Sequence, residues 1–131
     1  MTRNEIENEL KNIIEDILGE EKENINSTSL LIEELGFDSL DLLDLTFNIE
    51  EKFKVKIGSD ELSGRAKGKF KQSELVDEKG FLTDLSLSEL KNSIPEIPAD
   101  KLVHGLREND IPKLLTIGVF VRLIEDKLVK A

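Results

Sequence analysis

The chain has 131 residues, enough for one ordinary domain and too few for two comfortable ones. Apolar residues make up 38% of it, with six Phe and no Trp, Tyr or Cys, so a core built mainly from Leu and Ile is expected, and disulfides, thiolate metal sites and a cysteine nucleophile are excluded. A formal net charge of −10 argues against nucleic acid as a partner and in favour of partners with basic surfaces.

The first residues, Met1-Thr2-Arg3-Asn4-Glu5, lack the basic stretch and apolar run of a secretory signal, and no apolar segment approaches membrane-spanning length. A soluble, cytoplasmic, monomeric chain that is not membrane-embedded is the expectation. Ile6, Leu10, Ile13, Ile14 and Ile17 then recur at helical spacing, with Thr2 and Glu5 able to form a capping box before them and Gly19 a stop after them. From Glu20 to Phe37 the periodicity lapses into a long loop, beneath which Leu30, Leu31 and Leu35 can pack.

A second helix is predicted from Asp38, as N-cap with Asp41 three residues on, to about Lys54. At about 100° per residue, Leu42, Leu45, Ile49 and Phe53 form one stripe, and Leu40, Leu43 and Phe47 form another nearly opposite. Only one stripe can face a single small core. The other is flanked by Asp44 and Glu51, with Asp41 and Glu50 farther round, and it either packs at home or serves as a partner-docking strip in which apolar contact gives affinity and the acids set orientation. Charge supports the second use. Residues 1 to 57 hold fifteen acids against six Lys or Arg, with no Lys or Arg between Lys22 and Lys52, whereas residues 58 to 131 hold thirteen against twelve.

Between Ile57 and Thr116 the pattern is weak. Gly64 to Lys71 reads as basic loop, Ser86 and Glu89 as a capping box for a short helix through Leu90 that stops before Pro95, and Pro98 as the opening of another helix through Leu102 to Gly105. Thr116 suits the N-cap of a short amphipathic helix over Ile117 to Ile124.

Leu35-Gly36-Phe37-Asp38-Ser39-Leu40 resembles the attachment region of acyl carrier proteins, where an Asp-Ser-Leu at the start of the second helix holds phosphopantetheine on the serine. Glu50-Glu51-Lys52-Phe53, Val55-Lys56-Ile57 and Thr116-Ile117-Gly118 follow in the order of the same family, so the resemblance covers residues 1 to about 57 and 112 to about 130. It implies an all-α fold, a small acyl-carrier-type helical bundle in a single domain over residues 1–131, with an inserted, partly helical segment at about 58–110. It also implies phosphopantetheine covalently attached to Ser39 beside Asp38 by a phosphopantetheinyl transferase, so the protein is a carrier and not an enzyme. Acyl-transferring or acyl-elongating enzymes with basic docking surfaces would meet Leu40, Asp41, Asp44, Phe47, Glu50 and Glu51. Leu45, Ile49, Phe53 and Ile57 would line an acyl cavity, or serve as plain core. The insertion departs from the family and suggests a dedicated fatty-acid or lipid pathway, its Phe70, Leu75, Phe81, Leu85, Leu87, Leu90 and Ile97 extending the cavity or forming a second docking surface.

Other readings fit less well. A serine hydrolase using Ser39 and His104 lacks a Gly-x-Ser-x-Gly elbow. Metal binding by Asp38, Asp41 and Asp44 lacks the alternating calcium-loop pattern. An aminoacyl or peptidyl carrier, or a structural subunit of carrier fold without the arm, are the nearer alternatives, and the intact Asp38-Ser39-Leu40 speaks against the last.

Overall fold

The computed structural model describes residues 1–19, 25–57, 61 and 71–130. Among the described residues five α-helices carry the architecture: α1 (Arg3–Leu18), α2 (Ser39–Phe53), α3 (Gln72–Leu75), α4 (Asp84–Ser93) and α5 (Ile117–Lys130). Short 3-10 segments at Ala99–Lys101 and Glu108–Leu114 join the last two. The fold is all-α, and its only β pairing among the described residues is three isolated antiparallel bridges.

Local chemistry sets the helix ends. Thr2 Oγ1 accepts from the Glu5 amide at 3.2 Å while the Glu5 carboxylate accepts from the Thr2 amide at 2.9 Å, which satisfies two otherwise unpaired donors at the start of α1. Gly19 closes that helix in the left-handed conformation, φ 72°. α1 presents Ile6, Leu10 and Ile14 to α2 and α5, α2 replies with Leu42, Leu45, Ile49 and Phe53, and α5 supplies Val119, Phe120, Leu123 and Ile124; all of these are buried. Thr116 caps α5 by accepting from the Val119 amide at 3.0 Å, and the helix runs six residues past the expected end at Ile124.

The loop before α2 is held rather than slack. Leu30 pairs with Thr116 in an antiparallel bridge, the Leu31 amide donates to the Leu115 carbonyl at 3.0 Å, and the Gly118 amide donates to the Ser27 carbonyl at 2.8 Å. Leu30 and Leu31 are buried, as expected, and Leu35 packs against the core from its edge. The amides of Glu34 and Leu35 both donate to the Leu30 carbonyl, and Gly36, at φ +74°, takes the chain out of that turn toward Phe37.

The segment between α2 and α5 differs from the sequence reading in several places. The helix expected to start at a Ser86 cap begins three residues earlier: Thr83 is the N-cap, accepting from the Ser86 amide at 3.2 Å, and α4 continues to Ser93. Ser86 lies inside α4, fully buried, its hydroxyl donating to the Leu75 carbonyl at 2.7 Å. Tertiary burial outweighed the local spacing. The helix expected from Pro98 to Gly105 reduces to one 3-10 turn at Ala99–Lys101, because Pro98 is extended at ψ 123° and the chain turns at Gly105 with φ +101°. Gly64 to Phe70 lie outside the described residues, whereas Lys71 is exposed.

Leu75, Leu82, Leu87, Leu90, Ile94 and Ile97 of this segment join the same buried cluster as α1, α2 and α5. Phe81 is only half-buried and lies under the Arg107 guanidinium at 4.5 Å, and Leu85 is exposed. Ion pairs fasten the segment from outside. Glu96 accepts from Arg3 at 2.6 Å and from Arg122 at 3.0 Å, Arg3 also donates to Glu125, and Lys101 Nζ lies 3.4 Å from Glu33.

Candidate functional site

α2 begins where a buried side chain and a polar cap meet. Phe37 is buried, Asp38 is extended at φ −106°, and the two aspartates cap reciprocally: Asp38 Oδ1 accepts from the Asp41 amide at 2.9 Å and Asp41 Oδ2 accepts from the Asp38 amide at 3.1 Å. The Leu42 amide donates to the Asp38 carbonyl at 3.1 Å. Ser39 is the first helical residue and is exposed. Among the described residues its hydroxyl has no hydrogen-bond partner, and the amides of Ser39 and Leu40 have no protein acceptor.

An exposed hydroxyl in the first turn, beside two open amides at the positive end of a 15-residue helix, suits a covalently held phosphodiester. Those groups fit the phosphate of a phosphopantetheine arm. They do not fit a hydrolase nucleophile, because His104 Nε2 lies 3.2 Å from Asp84 Oδ1 on the distant segment and makes no contact with Ser39. Asp38 and Asp41 turn their carboxylates to backbone amides and Asp44 accepts from Asn48 Nδ2 at 3.0 Å; among the described residues no acidic or histidine group could hold a metal ion.

Both stripes of α2 are where the helical period puts them. Leu42, Leu45, Ile49 and Phe53 face inward. Leu40, Leu43 and Phe47 face solvent at 73%, 65% and 61% exposure, so none of them packs at home. Asp38, Asp44, Glu50 and Glu51 are exposed around them, Asp41 half so, and none has an ion-pair partner among the described residues. The one basic group of α2, Lys52, is paired to Glu9 of α1 at 3.1 Å. The result is an apolar ridge inside an uncompensated anionic border.

Of the four cavity candidates, Leu45 and Ile49 are fully buried and Phe53 and Ile57 nearly so, all within the packed core. Ile57 alone also reaches a surface groove of about 570 Å³, lined by Leu43, Thr46, Phe47, Glu50 and Lys56 beside it. Thr46 and Lys56 were passed over in the sequence. Thr46 could have been found, since it stands seven residues from Ser39 and so on the same helical face; Lys56 follows the helix, where no periodicity points to it.

Residues 8–65 match the family described as "Phosphopantetheine attachment site". A protein of Coprothermobacter proteolyticus named "Acyl carrier protein" is 40% identical over 62 residues, 47% of this chain and 76% of that protein. Proteins of the same name from Thermotoga maritima and Akkermansia muciniphila are 39% and 38% identical over 61 residues each, covering 47% of this chain and 75% and 76% of theirs. No solved structure matches the chain significantly.

Proposed function

Because the chain belongs to the acyl carrier protein family, a family of phosphopantetheine-bearing carriers and not enzymes, we propose that Ser39 is the residue that holds the arm and that the outer face of α2 is what partner enzymes read. The arm, when attached, supplies the thiol on which acyl groups ride as thioesters. The chain's own contribution is placement. Asp38 and Asp41 fix the first turn of α2, the open amides of Ser39 and Leu40 favour the phosphodiester, and Phe37 and Leu42 pin the turn to the core on either side. A transferase that delivers the arm from coenzyme A meets an unencumbered hydroxyl. The single observation that carries the reading is this exposed, unbonded Ser39 within a reciprocal Asp38–Asp41 cap, inside the matched attachment region.

Leu40, Phe47, Asp41, Asp44, Glu50 and Glu51 form the docking surface in this reading, for acyl-transferring or acyl-elongating enzymes that carry basic patches. The cargo is acyl, which is supported by the names of the relatives and by the acidic second helix, and the inserted stretch supports service to a dedicated fatty-acid or lipid pathway. The carrier acts in the cytoplasm as a monomer and as one domain, into which residues 58–110 are inserted. Among the described residues no helix is long and apolar enough to cross a membrane.

Incubation with a broad-specificity phosphopantetheinyl transferase and coenzyme A is expected to add one arm, read by intact mass, and Ser39→Ala to abolish the addition. A wild-type chain left unmodified where another carrier is modified would sink the assignment. Reversing charge at Asp44 and Glu51 together should weaken binding to a basic partner enzyme, with the loss larger at low salt than at high salt because exposed charges are screened. Equal affinity of the variant at low salt would show that the acidic border is not read.

A further inference from the structure

We propose that Lys54 and Lys56 give the outer ridge of α2 a cationic end, so that the surface fits a partner whose basic patch carries a carboxylate at one edge and disfavours a uniformly basic one. The inference rests on the outer face of α2 as the docking surface. Leu40, Phe47 and Lys54 stand seven residues apart, each turned only about 20° from the last around the helix, so Lys54 is in line with the ridge. It ends α2 as the C-cap, its amide donating to the Glu50 carbonyl at 3.0 Å. Beyond it the chain alternates. Val55 and Ile57 are buried while Lys54 and Lys56 are exposed, so both lysines leave on the solvent side. Lys56 lines the same groove as Leu43, Phe47 and Glu50.

Neither lysine has an ion-pair partner among the described residues, in contrast to Lys52, which is held by Glu9. A lysine at a helix C-terminus also answers the helix dipole, which accounts for a cation at Lys54 but not for Lys56 beyond the helix. Lys54 has φ 60°, the one positive φ outside glycine among the described residues. Glycine adopts that conformation without strain, so the backbone alone gives no reason for a long side chain there. The sign of the surface changes over a short distance. From Glu51 to Lys54 is about 5 Å along the axis, less than the screening length of about 8 Å at physiological salt. One docked segment therefore meets both signs. A cation that gains opposite Asp44, Glu50 or Glu51 is repelled over Lys54 or Lys56, where an anion gains instead. The net charge of −10 favours cations everywhere on a partner, whereas this local pattern sorts them by position.

The test uses two synthetic amphipathic helices as long as α2 and identical in composition, each with a leucine stripe flanked by lysines. One carries two glutamates at an end, the other the same two at its centre. Amide NMR titration of the full chain at low salt reads both the site and the affinity. Both peptides are expected to shift Leu43, Phe47 and Lys56, and the peptide with terminal glutamates to bind about threefold more tightly, the scale of one exposed ion pair. The double variant Lys54→Gly, Lys56→Gln removes both charges while leaving the left-handed position to a residue that adopts it freely. It should bind the two peptides alike. Equal affinity of the wild type for both, or a preference for central glutamates, overturns the cationic end and leaves the docking face intact. A preference that survives in the double variant overturns the role of the two lysines. Shifts that avoid α2 with both peptides, or no shifts with either, overturn the docking reading and this inference with it.

Discussion

Gly118 is one place where α5 and the loop before Ser39 meet. A Cβ there would lie 3.2 Å from the Ser27 carbonyl oxygen, a backbone atom, and 3.7 Å from the Glu96 side chain, while the Gly118 amide already donates to that same carbonyl. Gly118→Ala is therefore expected to cost about 1–3 kcal/mol, the usual range for overpacking, seen as a lower midpoint in urea with an unchanged slope. A neutral or stabilising result would mean that the loop yields freely. At this scale the sequence was legible wherever a bond spans three or four residues. The Thr2–Glu5 and Asp38–Asp41 caps and the Thr116 cap could be read from spacing alone. Ser86 could not, since its hydroxyl answers to the Leu75 carbonyl eleven residues away, and a spacing rule carries no knowledge of that neighbour.

Among elements, Glu96 ties the segment after α4 to α1 through Arg3 and to α5 through Arg122. Burial pushes its carboxyl up, but hydrogen bonds from Arg122, from its own amide and from Arg3 outweigh that and hold it below its ordinary value of 4.5. A group depressed in the folded state stabilises above its unfolded value and loses that contribution as pH falls through the folded one. Glu96→Gln should thus be less stable than wild type near neutral pH, by about 1–3 kcal/mol, and the gap should close as the pH drops below about 4.5. Thermal unfolding of both proteins across that range checks it; a gap independent of pH would remove the charge from the explanation. Helices α1, α2 and α5 were visible in the sequence because each has a full apolar stripe and a cap. The 3-10 helix at Glu108–Leu114 was not, since Pro112 lies within it and only Ile111 and Leu114 point inward, too few positions to establish a period.

For the molecule as a whole, the sequence singled out an attachment region, but it did not reveal that the segment between α2 and α5 shares its core. Leu90, Ile94 and Ile97 are fully buried in the same cluster as Leu10, Leu45 and Phe120. Leu90→Ala should cost about 2–5 kcal/mol, whereas Leu85→Ala, at an exposed site on the same helix, should stay within about 0.5 kcal/mol of wild type. Comparable small losses at both positions would mean that the segment folds apart from the bundle. The apolar pattern of residues 71–97 was misleading because these residues join a buried cluster whose other members include residues of α1, α2 and α5, far along the chain. The loop before Ser39 is just as firmly held: bonded to α5 at Ser27 and Leu31, anchored by buried Phe37, and turned by Gly36. With Ser39 as anchor, the polypeptide is a fixed pivot. Any travel of the cargo then comes from rotation about the arm's own bonds or from tumbling of the entire carrier, and the distance over which a thioester can be handed on is set by the length of the arm.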